Sequence, residues 1–300
     1  MARRRVGTLL KVLAAFGALA VVAGGVFVYL FTTTAVASNK ARTDSISLLE
    51  SARTRANGGE AALNALPTLD ISATNPDYAK AKQTVDQYGS QLGTYQTTVR
   101  ADEALLRADR DRLRNQATGA LELPFRPSLD HERLRAESLL SALQAEDTSL
   151  QIEQDQMKAA STILDAEGEF YVLIADHLDK QDVAGSLALF PTLDGKLKTA
   201  AQASAGQNMP PQLQKLVTEM QTLSGDLKSF LQAAQRGNRS AALALEPKIE
   251  ADSTALQSFD SKALDSYEQT LLQPYEDRFD SGVRAAGFTP VTSAPGQTQT

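Results

Sequence analysis

The chain of 300 residues has no cysteine, no tryptophan and two histidines, and aromatic residues make up 6% of it. Without cysteine there can be no disulfide, no thiolate metal ligand and no lipid-modified cysteine. Two histidines and no tryptophan leave little material for a catalytic centre or an aromatic-lined pocket. Sheets favour β-branched and aromatic side chains, whereas Ala, Leu, Gln, Asp and Ser dominate here, a composition suited to long helices. The expected fold class is all-α.

Charge of one sign is missing from the start of the chain. Residues 1–31 carry Arg3, Arg4, Arg5 and Lys11 and no acid. Setting those four aside leaves 26 basic against 36 acidic residues, a net of −10 for the remainder. An acidic body of this kind is a poor partner for nucleic acid or for an anionic membrane surface.

Long apolar runs are also absent, with one exception. From Val12 to Phe31 the sequence VLAAFGALAVVAGGVFVYLF holds no charge. Twenty helical residues rise about 30 Å, the thickness of a bilayer core, whereas a cleavable signal has a shorter apolar region of roughly 7–15 residues. Tyr29 suits the outer interface, and the arginines before the span outweigh Lys40 and Arg42 after it, which keeps the N-terminus cytoplasmic. Residues 1–11 are therefore read as a basic cytoplasmic N-terminus. Residues 12–31 are read as a transmembrane signal-anchor helix whose partner is the lipid bilayer. Ala35-Val36-Ala37 before Ser38 keeps cleavage open as the alternative. Under either reading the rest of the chain is extracytoplasmic.

Residues 35–286 read as an elongated extracytoplasmic helical bundle. A first helix is expected from about Ala35 to Ala65, weakened at Asn57-Gly58-Gly59, with a loop from Leu66 to Pro76. The second, from about Asp77 to Thr118, carries a heptad seam. Tyr78, Val85, Leu92, Val99, Leu106 and Leu113 are seven apart, with Ala81, Tyr88 and Tyr95 beside them. Past Arg100 the partner seam turns polar at Asp102 and Asp109, and RADEALLRADRDRLR reads as a solvated, ion-paired face. After the break Gly119–Pro127, Ser128 is the expected N-cap of a third helix to about Lys180. It has Leu143, Leu150, Met157, Leu164, Tyr171 and Leu178 in line and Gly168 as a weak point.

The sequence then repeats itself. LALFPTLD from Leu187 aligns without gaps on LALEPKIE from Leu243, an offset of 56. The same offset pairs Leu164 with Met220, Tyr171 with Leu227, and Lys180-Gln181-Asp182 with Arg236-Gly237-Asn238. This predicts a duplicated αα-hairpin, with units at about 164–200 and 220–256. Each turn is capped by Asp or Asn, and each second helix is kinked or tightened at Pro191 or Pro247. A final helix follows Pro247, with a kink or end at Pro274, and residues 287–300 form a disordered tail.

Chemistry is harder to find. His131 in DHERL resembles the start of H-E-x-x-H, but residue 135 is Arg, so the second ligand is missing. Glu169, Asp176 and His177 could be imagined around a metal, yet the Glu-x-x-His spacing of a di-iron bundle is absent, because position 174 is Ile. Asp109 and Asp111 do not continue into a calcium loop, since residue 114 is Arg. Tyr78, Tyr88 and Tyr95 could line a groove, although core packing explains them more simply. Asn238-Arg239-Ser240 fits a glycosylation acceptor but is already accounted for as a capped turn. No catalytic, cofactor-binding or metal-binding residue is assigned, and the chain is not expected to be an enzyme.

The expected function is a membrane-anchored, non-enzymatic interaction, scaffold or spacer module of a bacterial cell envelope. Its helical surfaces would serve a protein partner or self-association. The alternative is an extracytoplasmic ligand-binding or sensory helical domain that signals through a partner. A closed apolar core favours the first, and a deep inter-helix cavity with converging polar groups favours the second.

Overall fold

The computed structural model describes residues 32–52, 54, 55, 58, 77–117, 126–259 and 261–289. The apolar run 12–31, the loop 66–76 and residues 119–125 of the second break lie outside the described residues, as does the tail from 290. Every regular element among the described residues is helical. Helix α1 covers 32–52 and is still helical at 54, 55 and 58. It is followed by α2 (Tyr78–Ala117), α3 (Arg126–Val172), a π-helical turn (Leu173–Leu178), α4 (Val183–Ser204), α5 (Pro211–Gln235), α6 (Arg239–Gln257) and α7 (Ser261–Ala285). Among the described residues no helix is long and apolar enough to cross a membrane.

Several boundaries differ from expectation. Helix α3 starts two residues before Ser128, which lies inside it rather than capping it. Pro127 fits the first turn because no hydrogen bond is asked of its nitrogen there. Gly168 does not interrupt α3; a Cβ at that position would stand 3.3 Å from the Cβ of Tyr78, so the glycine lets α2 and α3 approach. Helices α4, α6 and α7 run on as α-helix through Pro191, Pro247 and Pro274. At the end of α7, Gly287 takes φ +80°, and the Phe288 N–H donates to Val283 O at 3.1 Å. Residues 287–289 are thus a glycine-closed helix end rather than tail.

The chain divides into two compact units. The first draws on the described residues of Met1–Thr54, Arg100–Gln144 and Arg278–Thr300. Four helices supply its core layer: Leu48 and Ala52 from α1, Leu106 from α2, Leu139, Ala142 and Leu143 from α3, and Phe279 and Val283 from α7. The layer leaves a void of about 10 Å³. At the α3–α7 contact a Cβ on Gly282 would lie 2.6 Å from the carbonyl oxygen of Ser138 and 2.9 Å from the Ala142 Cβ, so the two backbones touch. Arg135 secures the same contact, its Nε donating to Ala286 O at 2.9 Å and its guanidinium lying 5.5 Å from the Phe288 ring centre.

The second unit comprises Arg55–Val99 and Ala145–Asp277. Here α2 and α3 run antiparallel, joined by Ser161 to Asp86, Tyr88 to Glu153 and Gln96 to Gln151. The Arg55 guanidinium grips both oxygens of Glu146 at 2.8 and 3.1 Å. Helices α4 and α5 share a core with α3 around Phe190, Leu193, Leu197, Val217, Met220 and Phe170, and α6 packs on α5. Each such side chain, once buried, contributes about 1.5–3 kcal/mol.

The two turns of the repeat are capped alike. Asp182 and Asn238 have φ, ψ of −81°, 80° and −83°, 78°, and each side chain accepts the N–H three residues on. The Asp182 N–H donates to His177 O and the Asn238 N–H to Ala233 O, both at 2.9 Å. Upstream of the turns the 56-residue register fails. Buried Ile163, Ala166 and Phe170 correspond to buried Met220, Leu223 and Leu227, an offset of 57. Leu164 and Tyr171, the partners at 56, are only half-buried. The π-turn is the reason: Asp179 N–H reaches back five residues to Ile174 O, taking up one residue that α5 lacks. The heptad line on α3 drifts for a related cause. Leu143 and Leu150 are buried, but Met157, Leu164 and Tyr171 slide toward the edge, as a straight helix turns about 20° per heptad away from a 3.5 repeat.

Candidate functional site

A groove of about 600 Å³ opens in the second unit between α2 and α3. Tyr78, Lys82 and Asp86 line it from α2, Asp165, Glu169 and Val172 from α3, and Lys196 reaches in from α4. The heptad pattern placed Tyr78 on the seam, and Gly168 in the groove lets Tyr78 come close. The Tyr78 and Tyr171 rings stand 5.9 Å apart at its end.

The charges in the groove are already committed to one another. Lys196 Nζ lies 2.7 Å from Glu169 and 3.4 Å from Asp165. Burial works to lower the Lys196 pKa, but the two carboxylates outweigh it and hold the ammonium above its usual range. Lys82 pairs with Asp86 at 2.7 Å, and the Ser161 hydroxyl donates to the same carboxylate. Burial pushes Asp86 up, and these two partners more than reverse it. Pairs this exposed are worth about 0–1 kcal/mol each, so a polar ligand could displace them at low cost.

Of the residues weighed from sequence, few converge. Glu169 is taken by Lys196 and Asp176 by Lys180, at 2.7 and 2.9 Å. His177 turns its Nδ1 to Asp182 Oδ2 at 2.9 Å, while Asp182 Oδ1 accepts from Gly185 N. The Gly185 N–H, then His177, hold the Asp182 carboxyl below the usual carboxylate range. A Cβ on Gly185 would sit 2.3 Å from His177 Nδ1, so the glycine makes room for this turn lock. His131 is exposed, with its Nε2 3.4 Å from Arg135. Among the described residues no group of three or more His, Asp or Glu could hold a metal ion. The tyrosines separate: Tyr78 lines the groove, Tyr88 is buried with its hydroxyl donating to Glu153, and Tyr95 accepts from Gln91. Asn238 spends its side chain on the cap of α6.

Ionisable groups outside the groove are perturbed as well. Burial pushes Glu153 up even though Ser149 and Tyr88 donate to it, and Glu276 and Glu268 add to the rise. Burial alone pushes Glu167 up to about 7. In the first unit the stretch read as a solvated face is partly interior. Glu103 is 6% exposed and Asp109 2%. The Glu103–Arg107 pair expected from spacing does form, at 2.5 Å. Asp109 could have been singled out, because it continues the heptad seam of Ala81, Tyr88, Tyr95 and Asp102 into the core.

Comparison with protein families, curated proteins and solved structures gave no match.

Proposed function

We propose that the chain is a membrane-anchored, extracytoplasmic helical-bundle protein of a bacterial cell envelope, acting as a non-enzymatic interaction or spacer module. The observation that carries this reading is the way the interior is used up. Four helices close the core layer of the first unit to a void of about 10 Å³, and the charged groups of the second unit's groove pair with one another. What such a body offers is surface along its helices. The uncharged run 12–31 behind Arg3, Arg4 and Arg5 supports the anchor and a cytoplasmic N-terminus. The helical state of 35–37, with Ala37 buried, also supports it, because a signal peptidase needs extended chain at A-x-A. The matched turns at Asp182 and Asn238 support reading 164–200 and 220–256 as two copies of one αα-hairpin.

Cross-linking in intact membranes, followed by identification of what is captured, tests the interaction reading. Recovery of one defined protein, or of the chain cross-linked to itself, supports it; a chain that yields only monomer at every linker length overturns it. N-terminal sequencing of the mature protein tests the anchor, and a start at Ser38 overturns that part. A second reading, an extracytoplasmic ligand-binding or sensory domain, rests on the groove between α2 and α3. A small polar ligand that raises the unfolding temperature of wild type but not of Lys196→Ala would favour it.

A further inference from the structure

In the first unit α1 and α2 run antiparallel, with Ala37 and Ala41 packed on Leu113 and Ala117. One turn from that apolar contact two acids meet. Asp44, three residues on from Ala41 in α1, and Asp109, four before Leu113 in α2, are neighbours there, and each perturbs the other's carboxyl. Asp109 is 2% exposed; its Oδ1 accepts from Arg112 at 2.9 Å, while its buried Oδ2 has no donor. Asp44 has Lys40 on its other side. A buried carboxylate oxygen without a donor, beside a second carboxyl group, is an arrangement that a proton held between the two acids makes favourable.

We propose that Asp44 and Asp109 form a proton-dependent clasp between α1 and α2, closed while the two carboxyl groups share one proton and loosened when that proton leaves for solvent. The cations that face the pair are Lys40 from α1 and Arg112 from α2. The charged residues of α3 in this region are already engaged: Arg133 with Asp130 and Glu137, and Arg135 with Glu132. On α7, Arg284 is paired with Asp280. Electrostatics support the geometry. Burial, then the hydrogen bond with Asp44, push Asp109 up against the pull of Lys40 and Arg112. Burial also works to raise Asp44, but its bonds to Lys40 and Asp109 bring it below the usual range. The two titrations move apart, as for any pair holding a single proton. A raised carboxyl contributes stability that is full below its unfolded pKa and is lost as pH rises through its folded value, so the clasp opens toward alkaline pH. The clasp does not depend on the membrane or spacer reading.

The chain has no cysteine, so spin labels can be placed on Asn39→Cys and Arg114→Cys, exposed positions on the two helices, without competing thiols. In the full chain the carbonyl stretch of a protonated carboxyl should disappear on raising the pH, and the α1–α2 label distance should broaden over the same range. Asp109→Asn and Asp44→Asn each put an amide donor where the proton sat. Glu153 and Glu167, which burial also raises, lose their protons in the same band, so both variants should show that infrared step diminished by one carboxyl and should keep a narrow distance at all pH values. Two variants guard against one that fails to fold. A step of undiminished size in both, or a label distance indifferent to pH in wild type, would overturn the clasp.

Discussion

Gln181 and Gly237 hold the same place in two helix–helix turns, and both have left-handed backbone, with φ of +60° and +70°. Gln181 is the single non-glycine with positive φ among the described residues, and it is exposed. For an L-residue this conformation costs about 1–2 kcal/mol, partly offset by the greater chain entropy that glycine must lose on folding. Gln181→Gly should therefore stabilise the chain by about 0.5–1 kcal/mol and Gly237→Ala destabilise it by about 1 kcal/mol. Chemical denaturation of the two variants checks this, and a Gln181→Gly variant less stable than wild type would sink it.

The two hairpins also invite a comparison of burial. Phe190 is fully buried beneath α5, whereas Glu246, 56 residues later on α6, is exposed. Helix α4 has core on two sides, while Leu243 on α6 is 49% exposed. Phe190→Ala should cost about 3–5 kcal/mol, and Glu246→Ala should change stability by no more than about 0.5 kcal/mol. Equal costs at the two positions would mean that α6 is covered in solution, and size-exclusion chromatography of the same samples would then show self-association.

Much of this architecture was legible in the sequence because helices announce themselves by period. The seam Leu92, Val99, Leu106, Leu113 is buried as its spacing demands, and α2 begins and ends within one residue of where the pattern does. The turns were legible because capping needs a short acceptor side chain, and Asp182 and Asn238 supply it. The π-turn was not, since one added residue leaves the composition unchanged and shows only as a register that moves from 56 to 57. Nor was the burial of Asp109. Charge density on RADEALLRADRDRLR speaks for solvent, and only the lengthwise packing of α1 over that face removes it.

Two glycines test how closely the helices approach. A Cβ on Gly282 of α7 would strike backbone of α3, while one on exposed Gly225 of α5 would meet nothing within 4 Å. Alanine gains up to about 1 kcal/mol over glycine inside a helix, and overpacking costs about 1–3 kcal/mol. Gly225→Ala should therefore raise stability by about 0.5–1 kcal/mol, and Gly282→Ala should lower it despite the same intrinsic gain. Thermal unfolding distinguishes them; a stabilised Gly282→Ala variant would mean that the α3–α7 contact is looser than its geometry implies.

Glu167 makes the remaining prediction, and its sign follows from linkage. Burial pushes this carboxyl up to about 7 from an ordinary value of 4.5, and its negative charge in turn adds to the rise in the nearby Tyr78 hydroxyl, which burial begins. In the folded chain the group binds its proton more tightly than in the unfolded chain, so its contribution to stability is complete below pH 4.5 and declines as pH rises through about 7. Glu167→Gln keeps the shape and removes the titration. The variant should match wild type near about pH 5 and be the more stable of the two at about pH 9, where the wild-type carboxylate is charged and half-buried. The clasp at Asp109 loses stability in the same direction, so the informative quantity is the difference between wild type and variant at each pH, in which the Asp109 contribution cancels. A difference that stays constant from about pH 5 to about pH 9 would mean that Glu167 is solvated or paired in solution.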